Sequence, residues 1–126
     1  MEVRNPNYLT PEFFDFLREY ELAYVFLDGY YMPPIADVFE HCDTFTSDVS
    51  VIRLQGSGRE EMEDRTRRVW NEIIEPKPGG IKAAASIVRA NMKRGVRTFV
   101  NVNNHYEGSA PLTIEKLLRV LEGRDI

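Results

Sequence analysis

A single cysteine among 126 residues, Cys42, excludes an intramolecular disulfide and suits a reducing compartment. No apolar run is long enough to span a membrane, and the opening Met1-Glu2-Val3-Arg4-Asn5-Pro6 has no apolar core of the kind a signal peptide carries. The expectation is a cytoplasmic chain without a membrane partner. Positive charge is also short: 16 Lys and Arg against 20 Asp and Glu leave a formal charge of −4, so no global field draws the chain to nucleic acid or anionic lipid. Any anion site must therefore be local. Internal repeats and low-complexity tracts are missing too. What remains is a composition of 43% hydrophobic and 29% charged residues, which argues against disorder and lets the chain bury a core of its own.

Three short segments rich in β-branched and aromatic residues, 23–28, 49–54 and 96–102, read as strands bounded by turn residues. Glu2-Val3-Arg4, ahead of Asn5-Pro6, reads as the end of a fourth. Helical patterns lie between them. Thr10-Pro11-Glu12 supplies an N-cap hydroxyl, a proline at the first helical position and an acid at the positive end of the dipole, predicting a helix to about Tyr20. Residues 59–74 read as a charged helix with an apolar edge at Met62, Val69, Trp70, Ile73 and Ile74. Residues 81–94 and 111–121 are expected to be helices ending near Gly95 and Gly123, and a short helix falls around Ile35, Val38 and Phe39. Strand and helix alternate throughout, which predicts the α/β class with a parallel sheet.

Alternate residues of a strand face opposite ways. One set, Val3, Val25, Leu27, Ile52, Leu54, Val100 and Val102, is aliphatic and suited to packing beneath helices. The other, containing Tyr24, Phe26, Asp28, Val51, Arg53, Gln55, Phe99, Asn101 and Asn103, turns polar toward the carboxyl ends, as does Arg4. Barrel enzymes place their sites at those ends, whereas an open sheet covered by helices on both faces has little use for two arginines on one of them. The pattern predicts half of a TIM (β/α)8 barrel, four parallel βα units. Such a half leaves strand edges and an inward apolar face open, so completion by a homodimer is expected.

Three motifs then stand out: Glu2-x-Arg4 with Pro6; Arg53-x-Gln55-Gly56; and Asn103-Asn104-His105-Tyr106-Glu107-Gly108 followed by Ala110-Pro111. Together they resemble the DUF72 (YecE-like) family, the asparagine-rich stretch being the most specific. The resemblance covers nearly all of this chain and implies the carboxyl-terminal half of a single TIM barrel of about 250 residues, with no settled activity. Two positions depart from the family pattern, Asn5 and Gln55, where histidine is common; each removes an imidazole that could act as base or metal ligand. The stretch from Ser57 to Gly80 matches poorly.

His105, in a loop after a strand and beside two amides, is the candidate catalytic residue; the competing reading is a loop histidine bonded to a carbonyl. Arg4, Asp28, Arg53, Gln55, Asn103 and Asn104 are candidate ligand-binding residues. An unpaired arginine there suits bidentate binding of phosphate or carboxylate. The alternatives are that Glu2 and Asp28 neutralise the arginines in a closed network, and that the asparagines only tie the loop to its own backbone. His41-Cys42-Asp43 lacks the spacing of a metal site, and no pattern calls for a cofactor or metal. Gly56-x-Gly58-Arg59 follows a strand and precedes a helix as a phosphate turn would, without the full motif. Arg65, Arg67 and Arg68, interleaved with acids, read as a solvated face rather than a nucleic-acid patch. The leading expectation is a small anionic or phosphorylated ligand at the rim; the alternatives are a nucleic-acid-processing barrel enzyme and a non-catalytic half-barrel.

Overall fold

A computed structural model describes residues 1–56 and 59–123. Its elements run α1 (Pro11–Glu19), β1 (Val25–Gly29), α2 (Ile35–His41), β2 (Val49–Gly56), α3 (Arg59–Thr66), α4 (Pro78–Lys93), β3 (Arg97–Val102), α5 (Asn104–Glu107) and α6 (Ala110–Leu121). The three strands form one parallel sheet in the order β1-β2-β3, each linked to the next through helices. This is an α/β fold consistent with part of a βα barrel.

Residues 2–4 do not form the expected fourth strand. Met1 lies along the free edge of β1, its carbonyl accepting the Val25 N–H at 3.0 Å. The path then turns away, because Asn5 caps a 3-10 turn at Pro6–Tyr8 through Asn7 N–H, and Pro6 has no N–H to offer a ladder. The first helix begins as expected: Thr10 Oγ1 accepts the Phe13 N–H, and Pro11 sits at the first helical position. The 59–74 segment is different. Its helix ends at Thr66, and Arg67 and Arg68 follow with left-handed φ of 53° and 59°.

The core lies on one face of the sheet. Phe14 and Leu17 of α1, Ile35 and Val38 of α2, Ile81, Ala84, Ala85 and Ile87 of α4, and Leu117 of α6 pack with Tyr24, Phe26, Ile52 and Leu54. Register aligns Phe26 with Ile52 and Val100, and Val25 with Val51 and Phe99. In β1 the two sets are therefore exchanged relative to the alternation read from sequence: Tyr24 and Phe26 pack under helices, while Val25 and Leu27 share the opposite face with Arg53 and Asn101. On that opposite face Leu27 is buried, and Phe99 is 50% exposed.

Candidate functional site

The carboxyl ends of the strands lie side by side. On the sheet face away from the helices, Arg53 and Arg4 converge on Glu2: Arg53 Nη1 donates to Oε1, and Arg4 Nε donates to Oε2 at 3.2 Å. Arg4 also stacks over the Tyr30 ring, 4.4 Å from its centroid. Partial burial pushes the Glu2 carboxyl up, but the Arg53 and Arg4 guanidiniums outweigh it and hold the group below the usual carboxylate range. Each oxygen of one carboxylate thus serves one arginine, and this local set carries a formal charge of +1.

At the carboxyl ends of β2 and β3, Asn103 organises the other polar residues. Its Nδ2 donates to Gln55 Oε1 at 3.3 Å, while its Oδ1 accepts the His105 N–H at 2.9 Å and faces His105 Nδ1. This is an N-cap for α5 that also sets the imidazole's orientation. His105 Nε2 then lies 3.3 Å from Glu63 Oε1 of α3, and Trp70 meets the imidazole edge to face with centroids 4.9 Å apart. Asn104 is turned elsewhere, its Oδ1 accepting the Ala110 N–H at 2.7 Å and tying the loop to the start of α6.

Asp28 stands apart from the arginines. Tyr106 donates its hydroxyl to Asp28 Oδ2, and the two line a cleft of about 350 Å³ with Lys77, Gly56 and Gly80. Burial, then the Asp28 and Glu107 charges, push the Tyr106 hydroxyl far above its ordinary value, so it stays protonated and can donate to Asp28. Close approach here depends on glycine. A Cβ at Gly80 would sit 1.9 Å from Tyr106 Oη, and one at Gly56 would sit 2.9 Å from the His105 carbonyl oxygen.

Glu107, with no exposed surface, holds the loop together. Its carboxylate accepts from Lys116 Nζ at 2.6 Å, from the Lys77 N–H at 2.7 Å and from the Thr113 hydroxyl. Its carbonyl accepts the Ile74 and Glu75 N–H groups at 2.7 and 3.0 Å. The asparagine-rich signature therefore splits into residues that build the loop, Asn104, Tyr106 and Glu107, and residues that reach Gln55 and Glu63 across the strand ends, Asn103 and His105.

Of the candidates read from sequence, Arg4 and Arg53 come together at Glu2, and Gln55, Asn103 and His105 form one hydrogen-bonded chain. Asp28 and Asn104 are engaged elsewhere. Glu63 and Trp70 were not recognised as neighbours of His105, because in sequence they read as one charged and one apolar position of a single helix. The glycine turn expected after β2 depends on Ser57, Gly58 and the Arg59 side chain, which lie outside the described residues. His41 turns its Nδ1 to the Asp37 carbonyl at 2.9 Å, and burial raises the Cys42 thiol above its ordinary value. Among the described residues no group of three His, Cys, Asp or Glu side chains could hold a metal ion, and no helix is long and apolar enough to cross a membrane.

The model of one protein family, described as protein of unknown function DUF72, matches residues 1–125. The chain belongs to that family. No curated protein and no solved structure matches it.

Proposed function

We propose that this DUF72 protein binds a small anionic or phosphorylated ligand at the rim, through Arg4 and Arg53, with Gln55, Asn103 and His105 alongside. The observation that carries this reading is the sharing of Glu2: two guanidiniums compensated by one carboxylate leave N–H donors of both forks without an acceptor among the described residues. Arg4 is the accessible member, its side chain 54% exposed against 31% for Arg53. The net charge of −4 opposes the nucleic-acid alternative. A thermal-shift titration with inorganic phosphate tests the reading. Stabilisation that saturates, and that disappears in Arg4→Ala, is expected; an identical response in wild type and variant removes the site.

Half of a (β/α)8 barrel, completed by a second copy of the chain, is the assembly that suits this rim. It is supported by consecutive parallel strands, by helices packed on one sheet face, and by Phe99 standing half-exposed on the other. Light scattering at micromolar concentration is expected to return the dimer mass. A stable monomer overturns the assembly without touching the anion site.

A further inference from the structure

Asp28 and Lys77 line one cleft of about 350 Å³ with opposite charges, yet they form no ion pair with each other. Tyr106 keeps them apart. Its hydroxyl donates to Asp28 Oδ2, while its carbonyl accepts from Lys77 Nζ, which also stands over the ring, 4.8 Å from the centroid. Both charges keep spare capacity. A carboxylate has two oxygens and the Tyr106 hydroxyl engages one; an ammonium has three donors, of which the Tyr106 carbonyl takes one, and Glu75 Oε1, at 3.9 Å, is beyond hydrogen-bond distance. Tyr31, Met32 and Pro34 supply the apolar part of the wall. Tyr31 is 92% exposed and stands at the opening, on a loop where Tyr30 and Tyr31 take left-handed φ of 51° and 63° and the Met32 N–H closes the turn on the Gly29 carbonyl at 3.0 Å. No lining residue belongs to the arginine pair or to the chain of Gln55, Asn103 and His105.

We propose that this cleft binds a small zwitterion of the amino-acid class with an apolar side chain, its ammonium on Asp28 and its carboxylate on Lys77. The separated charges select it. A simple cation would pair with Asp28 but meet the like charge of Lys77, and a simple anion would pair with Lys77 but meet Asp28. A zwitterion makes a charge-assisted hydrogen bond at both ends, each roughly twice as strong as the neutral bond a polyol would offer. Its body then lies against Tyr31, Met32 and Pro34. The volume falls at the lower end of small-ligand sites, and an apolar wall with a few placed polar groups is their usual make-up. Because the ligand carries no net charge, the chain's own −4 neither attracts nor repels it. This reading does not depend on the anion site.

The test is isothermal titration calorimetry of the intact protein with L-leucine, L-methionine and L-phenylalanine. The tightest binder is then compared with its own decarboxylated amine and its own deaminated acid, which keep the apolar body and one charge each. Saturable binding of at least one amino acid is expected, with both single-charge analogues weaker by about tenfold or more. Asp28→Asn keeps an acceptor for the Tyr106 hydroxyl but removes the charge, and Lys77→Met keeps the stem but removes the ammonium. Each is expected to weaken the amino acid about tenfold. Asp28→Asn should also erase the preference over the deaminated acid, and Lys77→Met the preference over the amine, which a purely structural role would not do. Circular dichroism melts show that each variant is folded. Should Asp28→Asn not fold, Lys77→Met, at a side chain 29% exposed, carries the test. Absence of saturable binding by all three amino acids overturns the proposal. So does a single-charge analogue that binds wild type as tightly as its parent, or an affinity left unchanged in either variant that folds.

Discussion

Replacing Glu107 with alanine removes the one carboxylate that three separate donors converge on. Lys116 Nζ, the Lys77 N–H and the Thr113 hydroxyl would all lose their acceptor, in a place where Glu107 and Thr113 have no exposure at all. Breaking a buried ion pair by deleting one member costs about 3–5 kcal/mol. Lys116 keeps 19% of its side chain exposed and can turn its ammonium toward water, which lowers that cost. The Thr113 hydroxyl cannot do so, and an unsatisfied buried group costs about 1–3 kcal/mol. These contributions overlap, so the expected loss is about 4 kcal/mol, a large share of a typical stability of roughly 5–15 kcal/mol. With a urea slope of about 1–3 kcal/mol per molar, the unfolding midpoint should fall by roughly 2 M. Urea denaturation followed by circular dichroism measures it. The double variant Glu107→Ala with Lys116→Ala should lose less than the sum of the two single variants, because both delete the same contact. A single-variant loss below about 1 kcal/mol, or strict additivity of the pair, would refute the view of Glu107 as the hub of the loop.

Three further outcomes follow from the geometry. Glu2 is held below its ordinary value of 4.5, so its contribution to stability is complete above that pH and is lost as pH falls through the lower folded value; urea midpoints taken from pH 7 down to 3 should show an acid-dependent component that Glu2→Gln removes. Gly80→Ala would gain about 1 kcal/mol of helix propensity but drive a methyl into the buried Tyr106 hydroxyl and within 2.7 Å of Asp28 Oδ2, so a net loss of about 1–2 kcal/mol is expected, and a raised melting temperature would contradict the packing. Cys42 is half-buried with its thiol pushed up, so its reaction with a neutral-pH disulfide reagent should be slower than that of free cysteine; equal rates would mean that the thiol is more open than the fold places it.

Sequence and structure part most clearly at β1. Alternation separates Val25 and Leu27 from Tyr24 and Phe26, but both pairs are apolar, so composition alone cannot say which faces the helices. Pairing of Phe26 with Ile52 and of Leu27 with Arg53 decides it, and the same step turns Asp28 away from the arginines toward Tyr106. Arg53, whose alternation partners Gln55 and Asn103 are also polar, was legible without that information. The connection after β2 was not. Glu63 lies 42 residues from His105, and only the halt of α3 at Thr66, followed by two left-handed residues, brings Trp70 back against the imidazole.

The sequence by itself determined the α/β class, the three strand segments, the Thr10-Pro11 helix start and the family, because periodicity, capping and motif spacing are local properties written in neighbouring residues. The tertiary structure alone decided which face of β1 is buried, that Glu2 is shared by two arginines, and that Glu63, Trp70 and His105 border one cleft. Those are facts about pairs distant along the chain. Their free energies depend on register and on how a connection turns, and no local pattern encodes either.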